Sequence, residues 1–178
     1  MPIDIQPTLQ DGQVLLTPLR EDDFEALYLV ASDPKIWEQH PNKDRWKREV
    51  FENYFRGAIE SKGAFKIIDQ KTGEIAGCTR FYDYDPAQRS ILIGYTFYAT
   101  KYWGTGLNPM VKKLMLDYIF PFVDKVQFHI GATNIRSQIA IQRLGAKKVG
   151  EQDVAYFGET QKLNFVYEVT SQTLPTPD

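Results

Sequence analysis

The segment Lys101-Tyr102-Trp103-Gly104-Thr105-Gly106-Leu107-Asn108 has the makings of an anion site. Two glycines one residue apart remove the Cβ atoms that would keep a phosphate away from the backbone. The segment follows a β-rich stretch, Arg89 to Tyr98. It precedes an amphipathic stretch with Pro109 near its start and Val111, Leu114, Met115, Tyr118 and Ile119 on one face. That arrangement predicts a strand, a tight turn and a helix. The first amides of such a helix have no intrahelical acceptor and point into the turn, with the positive end of the helix dipole behind them. A charge-assisted hydrogen bond contributes about 1.5–3 kcal/mol, so several amides can hold a pyrophosphate with few basic side chains. The turn has neither the Gly-x-Gly-x-x-Gly spacing of a dinucleotide fold nor the Gly-Lys-Ser/Thr of a P-loop. Taken alone, it reads equally well as a tight turn with a packing glycine.

The elements around it set the frame. Gln13 to Arg20 reads as a first strand, and Asp22 and Asp23 open a helix whose apolar face carries Phe24, Leu27, Tyr28 and Ala31. Trp37, His40, Pro41 and Asn42 fall in an irregular connector. Asp44 can cap a second helix with Val50, Phe51, Tyr54, Phe55 and Ala58 in its stripe, ending near Gly63. Strands are expected at Ala64 to Asp69, Glu74 to Tyr82 and Arg89 to Tyr98, with turns at Lys71-Thr72-Gly73 and Asp83 to Gln88. After the long helix come a strand at Lys125 to Gly131, a short helix at Ser137 to Leu144 stopped by Gly145, and a hairpin of Val149 to Phe157 with Lys162 to Val169 around Gly158. Strand Arg89–Tyr98, its helix and strand Lys125–Gly131 should form one right-handed parallel crossover in an otherwise mostly antiparallel sheet.

Length and composition narrow the class. At 178 residues, 43% of them apolar and 25% charged, the chain is expected to form a single domain over residues 1–170, with a flexible tail at 171–178. A net charge of -2 argues against nucleic acid as a partner. No apolar run reaches membrane-span length, and the first residues lack a basic region followed by an apolar one, so neither a membrane nor a secretory route is expected. One cysteine fits a reducing cytoplasm, and two histidines with one cysteine argue against a zinc site.

The turn resembles the pyrophosphate loop of the GNAT N-acetyltransferase superfamily, whose pattern is Gln/Arg-x-x-Gly-x-Gly/Ala, with Lys101 as a donor in place of Arg or Gln. Three further blocks are similar to that superfamily in the same order: Leu19-Arg20-Glu21-Asp22-Asp23, Ile93-Gly94-Tyr95-Thr96, and Asn134 to Ala146 with Ser137, Leu144 and Gly145 in register. The branch they resemble contains the ribosomal-protein N-terminal acetyltransferases, and the likeness runs over about residues 12–170. It implies an α/β fold: a mixed, mostly antiparallel sheet with a central parallel, splayed strand pair and flanking helices. It implies acetyl-CoA as acyl donor and an amine acceptor, no metal, and a monomer or homodimer. The pyrophosphate would rest on Lys101, Tyr102, Trp103, Gly104, Thr105, Gly106, Leu107 and Asn108. The pantetheine arm would run beside Tyr95, Thr96 and Phe97 and bond Asn134, and the adenosine would lie over Lys112 or Arg136. As basic residues, both read first as solvent-facing.

The resemblance also implies roles for single residues. Ser137 falls where that branch has a serine near the CoA sulfur, as proton donor to the departing thiolate; a serine at a helix start can equally serve the helix amides. Two positions depart from the family: Ile141 stands where many relatives have a tyrosine, and Leu92 where many have a glutamate. The general base is therefore open among Glu38, His40, Asp83 and Asp85, each of which reads first as an ordinary solvated residue, or a water chain. Trp37, His40 and Phe81 are expected at the acceptor site. Cys78, in a core strand, reads as a small buried side chain rather than an acyl carrier. A non-catalytic acyl-CoA-binding module is the alternative function, and an α/β domain with an empty turn a third.

Overall fold

The computed structural model describes residues 3–155 and 161–173. Eight strands form one sheet: β1 (Leu9–Gln10), β2 (Val14–Pro18), β3 (Ala64–Asp69), β4 (Ile75–Asp85), β5 (Ser90–Tyr98), β6 (Lys125–Gly131), β7 (Lys147–Ala155) and β8 (Gln161–Thr170). Their order across the sheet is β1-β2-β3-β4-β5-β6-β8-β7. Among the described residues only β5 and β6 pair in parallel; the other pairs are antiparallel. Among the described residues four α-helices flank it: α1 (Phe24–Ala31), α2 (Arg48–Ser61), α3 (Leu107–Ile119) and α4 (Ile135–Arg143). The turn expected around Gly158 and the last five residues lie outside the described residues.

Each helix forms where its apolar spacing gives it a face to bury. In α2, Phe51, Tyr54, Phe55 and Ala58 are buried, an i, i+3, i+4, i+7 stripe. In α3, Leu107, Val111, Met115 and Ile119 repeat every fourth residue and are buried. The sheet separates two apolar layers. One joins α3 to Val14, Leu16, Phe65, Ile67, Ile91, Ile93, Val126 and Val169. The other lies under α1 and α2 and holds Leu27, Phe51, Tyr54, Phe55, Cys78 and Phe97.

Several boundaries differ from expectation: α1 begins at Phe24 after a 3-10 turn over Glu21–Asp23, α4 begins at Ile135 and not at Ser137, and β7 begins at Lys147 and not at Val149. Helix α2 begins at Arg48, after a turn in which Lys47 N–H donates to Asp44 O, so Asp44 opens the turn and not the helix. Strand β4 runs on to Asp85, past the expected break, because its pairing with β5 resumes at Asp85↔Ser90 after an irregularity that includes Asp83 at φ 52°. No helix of the described residues is long and apolar enough to cross a membrane.

The feature that positions the site is the meeting of β5 and β6. They pair at Ser90↔Lys125, Ile91↔Val126 and Leu92↔Gln127 and nowhere beyond. Past that point β5 stays with β4, through Phe97↔Cys78 and Tyr98↔Gly77, while β6 stays with β8 as far as Gly131↔Asn164. The sheet therefore opens into a wedge. A bulge on β5 accompanies the opening. Between Arg80↔Gly94 and Cys78↔Phe97, β5 has one more residue than β4, and Tyr95 takes the left-handed φ of 54°. That conformation is costly for a bulky residue. It is braced by the Tyr54 hydroxyl, which donates to Tyr95 O, and by the Arg80 guanidinium, 3.7 Å from the Tyr95 ring centroid.

Candidate active site

The wedge is a cleft of about 690 Å³. One wall is β5 from Ile93 to Tyr98, the other β6 from Phe128 to Gly131 with the start of α4, and the turn before α3 closes one end. The connector with Trp37, Gln39 and His40 forms the remaining side. It approaches closely because residue 131 is glycine: a Cβ there would meet Pro41 Cγ at 2.3 Å.

The turn has the geometry its glycines allow. Gly104 has φ 71° and Gly106 φ 85°, both left-handed, and a Cβ on either would meet nothing within 4 Å. Their faces are thus open to a ligand. Gly106 is the N-cap of α3, and Met110 N–H to Gly106 O is the bond that starts the helix. The amides of Leu107 and Asn108 lie ahead of it, and Pro109 has no N–H to satisfy. Tyr98 donates to Asn108 Oδ1 at 2.8 Å, which fixes that amide side chain beside the cleft.

The structure gathers most of the anticipated residues on the cleft and turns several away. Trp37, His40, Tyr95, Thr96, Phe97, Tyr102, Trp103, Gly104, Gly106, Asn108, Asn134 and Ser137 all line it. Lys101, Thr105 and Leu107 lie instead on a separate depression across the loop, where Lys101 pairs with Glu74 and Thr105 Oγ1 donates to Tyr102 O. Lys101 thus brings its charge to a carboxylate and not to the cleft; only backbone from these three residues remains for an anion. The placement of Phe81 at the acceptor site is corrected. Its ring is fully buried in the α3-side layer, edge-on to Phe65, because β4 is covered on both faces there.

Asn134 and Ser137 divide their tasks differently from the reading of Ser137 as a helix cap. Asn134 is the N-cap of α4, and its Oδ1 accepts Ser137 N–H at 3.3 Å. The Asn134 amide group keeps its own N–H donors, and the Ser137 hydroxyl is not the group that caps the helix. Arg136 reaches across the mouth. Its guanidinium carbon lies 3.6 Å from the Trp103 ring centroid, its Nη2 donates to Ile36 O at 3.4 Å, and its backbone N–H donates to Gln39 Oε1 at 3.0 Å. Lys112, read as solvent-facing or beneath adenosine, is instead 4% exposed in the cleft wall.

Electrostatics separates the titratable groups. Burial first, and the Arg45 charge second, hold His40 well below the ordinary imidazole value, and its Nδ1 accepts Asn42 N–H at 2.9 Å. His40 therefore lines the cleft as a neutral ring poorly suited to take a proton. Burial pushes the Cys78 thiol up to about 11, so it stays protonated and weakly nucleophilic. Leu92 and Ile141, the two departures from the resembled pattern, are buried apolar residues. Sequence reasoning missed His129 and Gln39 as lining residues and the depth of Lys112. The last had a signal: Lys112 stands four residues after Asn108 and three before Met115, on the α3 face turned inward.

The family model described as an acetyltransferase (GNAT) domain matches residues 13–147. No curated protein matches the sequence. Among solved structures, the chain is similar to a GCN5-related N-acetyltransferase from Brucella melitensis, at 18% identity over 94% of this chain and 80% of that one, with a TM-score of 0.76. It is similar to Mycobacterium smegmatis RimJ in complex with CoA-disulfide, at 20% identity over 96% of this chain and 88% of that one, TM-score 0.71. It is also similar to the ribosomal-protein-S5-alanine acetyltransferase of Vibrio fischeri, at 13% identity over 96% of this chain and all of that one, TM-score 0.68. At these identities the likeness is one of fold.

Proposed function

The chain belongs to the GNAT acetyltransferase family, and from that premise we propose that it transfers an acetyl group from acetyl-CoA directly to a primary amine. The observation that carries this is the wedge between β5 and β6, closed at one end by the open-faced glycine turn that starts α3. A phosphate on the turn amides sends an extended arm down the wedge, along the β5 backbone at Tyr95, Thr96 and Phe97. The acyl end then meets the connector with Trp37 and His40, where an amine can approach. The neutral amine nitrogen attacks the thioester carbonyl carbon, the C–S bond breaks, and the proton that the nitrogen loses passes through water to the thiolate near Ser137. A protein N-terminus, an amino acid and a small amine are the acceptor classes. The sequence blocks that resemble the ribosomal-protein N-terminal acetyltransferases make a protein N-terminus the first acceptor to screen. Release of free thiol from acetyl-CoA against an amine panel, with acetylated products identified by mass spectrometry, tests the reading. Binding without turnover against any amine would favour the acyl-CoA-binding alternative, which the apolar Leu92 and Ile141 support.

Direct transfer needs no acetyl-enzyme. Acetyl-CoA alone should leave no acetyl group on Cys78 by intact-mass analysis, and a folded Cys78→Ala protein should keep its turnover. An acetyl group trapped on Cys78 together with a dead Cys78→Ala enzyme would overturn direct transfer. Ser137→Ala should lower kcat by roughly tenfold to a hundredfold, about 1.4–2.7 kcal/mol, and leave CoA affinity nearly unchanged. The effect is partial because a hydroxyl is a weak acid. It is aided by the N-terminal dipole of α4, which favours a developing thiolate. An unchanged kcat where chemistry limits the rate would remove Ser137 from proton handling.

A further inference from the structure

Lys112 is a buried amine that the pyrophosphate turn does not require. Its Nζ donates to Thr96 Oγ1 at 3.0 Å. Thr96 Oγ1 and Thr79 Oγ1 share a hydrogen bond of 2.9 Å, and Thr79 Oγ1 donates to Met115 Sδ at 3.7 Å. A thioether cannot donate, so Thr79 is the donor toward Met115, and Lys112 donates to Thr96, whose hydroxyl shares one hydrogen bond with that of Thr79. Among the described residues Lys112 forms no ion pair. An ammonium has three N–H donors and a neutral amine two, so at least one N–H remains after the bond to Thr96. A buried donor left unmet is costly, and this one lines the cleft.

Its position says what should meet it. Lys112 stands six residues after Gly106, about 9 Å down the helix axis from the turn. Its partner Thr96 sits at the β5 bulge beside Tyr95, where the wedge is open. An acyl donor anchored by phosphates on the turn brings its carbonyl end toward that point. We propose that Lys112 is a catalytic residue whose Nζ donates a hydrogen bond to the thioester carbonyl oxygen. This rests on the acetyl-transfer reading above. When the acceptor nitrogen bonds to the carbonyl carbon, the C=O π pair moves onto that oxygen, and the hydrogen bond strengthens as the oxygen becomes negative. When the pair returns, the C–S bond breaks and the thiolate departs with its electrons. Lys112 keeps its proton throughout. Burial brings the amine down to about 7, so a nearby oxyanion readily holds it in the ammonium form.

The test uses the whole protein and acetyl-CoA labelled with ¹³C at the carbonyl. In wild type the bound thioester carbonyl stretch should fall below its free value in infrared difference spectra. In Lys112→Met that shift should largely vanish, with CoA affinity within about threefold and kcat lower by roughly a hundredfold. Lys112→Gln, a second variant that keeps a shorter donor, should retain part of the shift. A folded Lys112→Met protein with a wild-type carbonyl stretch and wild-type kcat overturns the proposal. So does a loss confined to CoA affinity, which would make Lys112 an anchor for the arm. Wild type that neither binds acetyl-CoA nor releases thiol defeats the acetyl-transfer reading itself, and this proposal with it.

Discussion

Gly104→Asp should fold and lose CoA affinity by roughly a hundredfold or more, about 2.7 kcal/mol. Gly104 has φ 71°, and a Cβ there meets nothing within 4 Å. The substitution therefore strains the backbone, at about 1–2 kcal/mol, without a clash inside the protein. Its carboxylate points into the space where the turn amides would hold a phosphate, so it competes for their hydrogen bonds and repels the ligand's charge. Gly73→Asp is the control: Gly73 also has an open face and a left-handed φ of 74°, but it lies in the β3–β4 turn. It should show similar strain and unaltered affinity. Calorimetric titration with CoA reads both. A folded Gly104→Asp protein with wild-type affinity would move the phosphate site elsewhere.

Lys112→Met should be more stable than wild type near pH 7, by an amount that shrinks as the pH rises toward 10. Burial lowers the Lys112 amine from its ordinary 10.5 to about 7. Between those values the unfolded chain holds the proton and the folded protein does not. The unfolded state then binds more protons, and wild-type stability rises with pH through that window. At pH 7 and below, the penalty is fully developed, at most on the order of 5 kcal/mol. Methionine has a similar shape and no charge, so it removes the penalty, less about 1 kcal/mol for the hydrogen bond that Thr96 loses. Urea unfolding of both proteins from pH 7 to pH 10 measures the difference, in which other titrating groups cancel. A gap that does not change with pH would mean that the amine is not desolvated. Gained stability with lost turnover in one variant is what a side chain kept for chemistry should show.

The parts of the site written in local chemistry were readable from the sequence. Gly104 and Gly106 imply a left-handed turn, and the four-residue repeat from Leu107 to Ile119 implies the helix behind it. The crossover from β5 through α3 to β6 follows from the lengths of the segments. What could not be read depends on distant partners. Nothing in a tyrosine announces a left-handed φ; Tyr95 is held there by Tyr54 and Arg80 from other elements. Lys101 turns to Glu74, which is remote in sequence, and so the basic residue nearest the turn leaves the cleft. Phe81 lies in a strand buried on both faces, where alternation has no meaning. Lys112 was readable in part: its spacing from Met115 puts it on the inward face of α3, but a pattern that scores charge as surface overrides that spacing.

The three residue pairs joining β5 to β6 have a mechanical consequence. Beyond Leu92↔Gln127, no ladder ties one side of the wedge to the other; each is bonded to its outer neighbour. The two half-sheets can rotate about that short apex as about a hinge, widening or narrowing the gap while every ladder on either side stays intact. Two things then resist spreading: the Arg136 side chain, which lies across the open end between Trp103 and Ile36, and the apolar layer under α3, which is shared by both half-sheets. The molecule has the form of a spring clip, held at the tip by one side chain and along the blades by the layer they share.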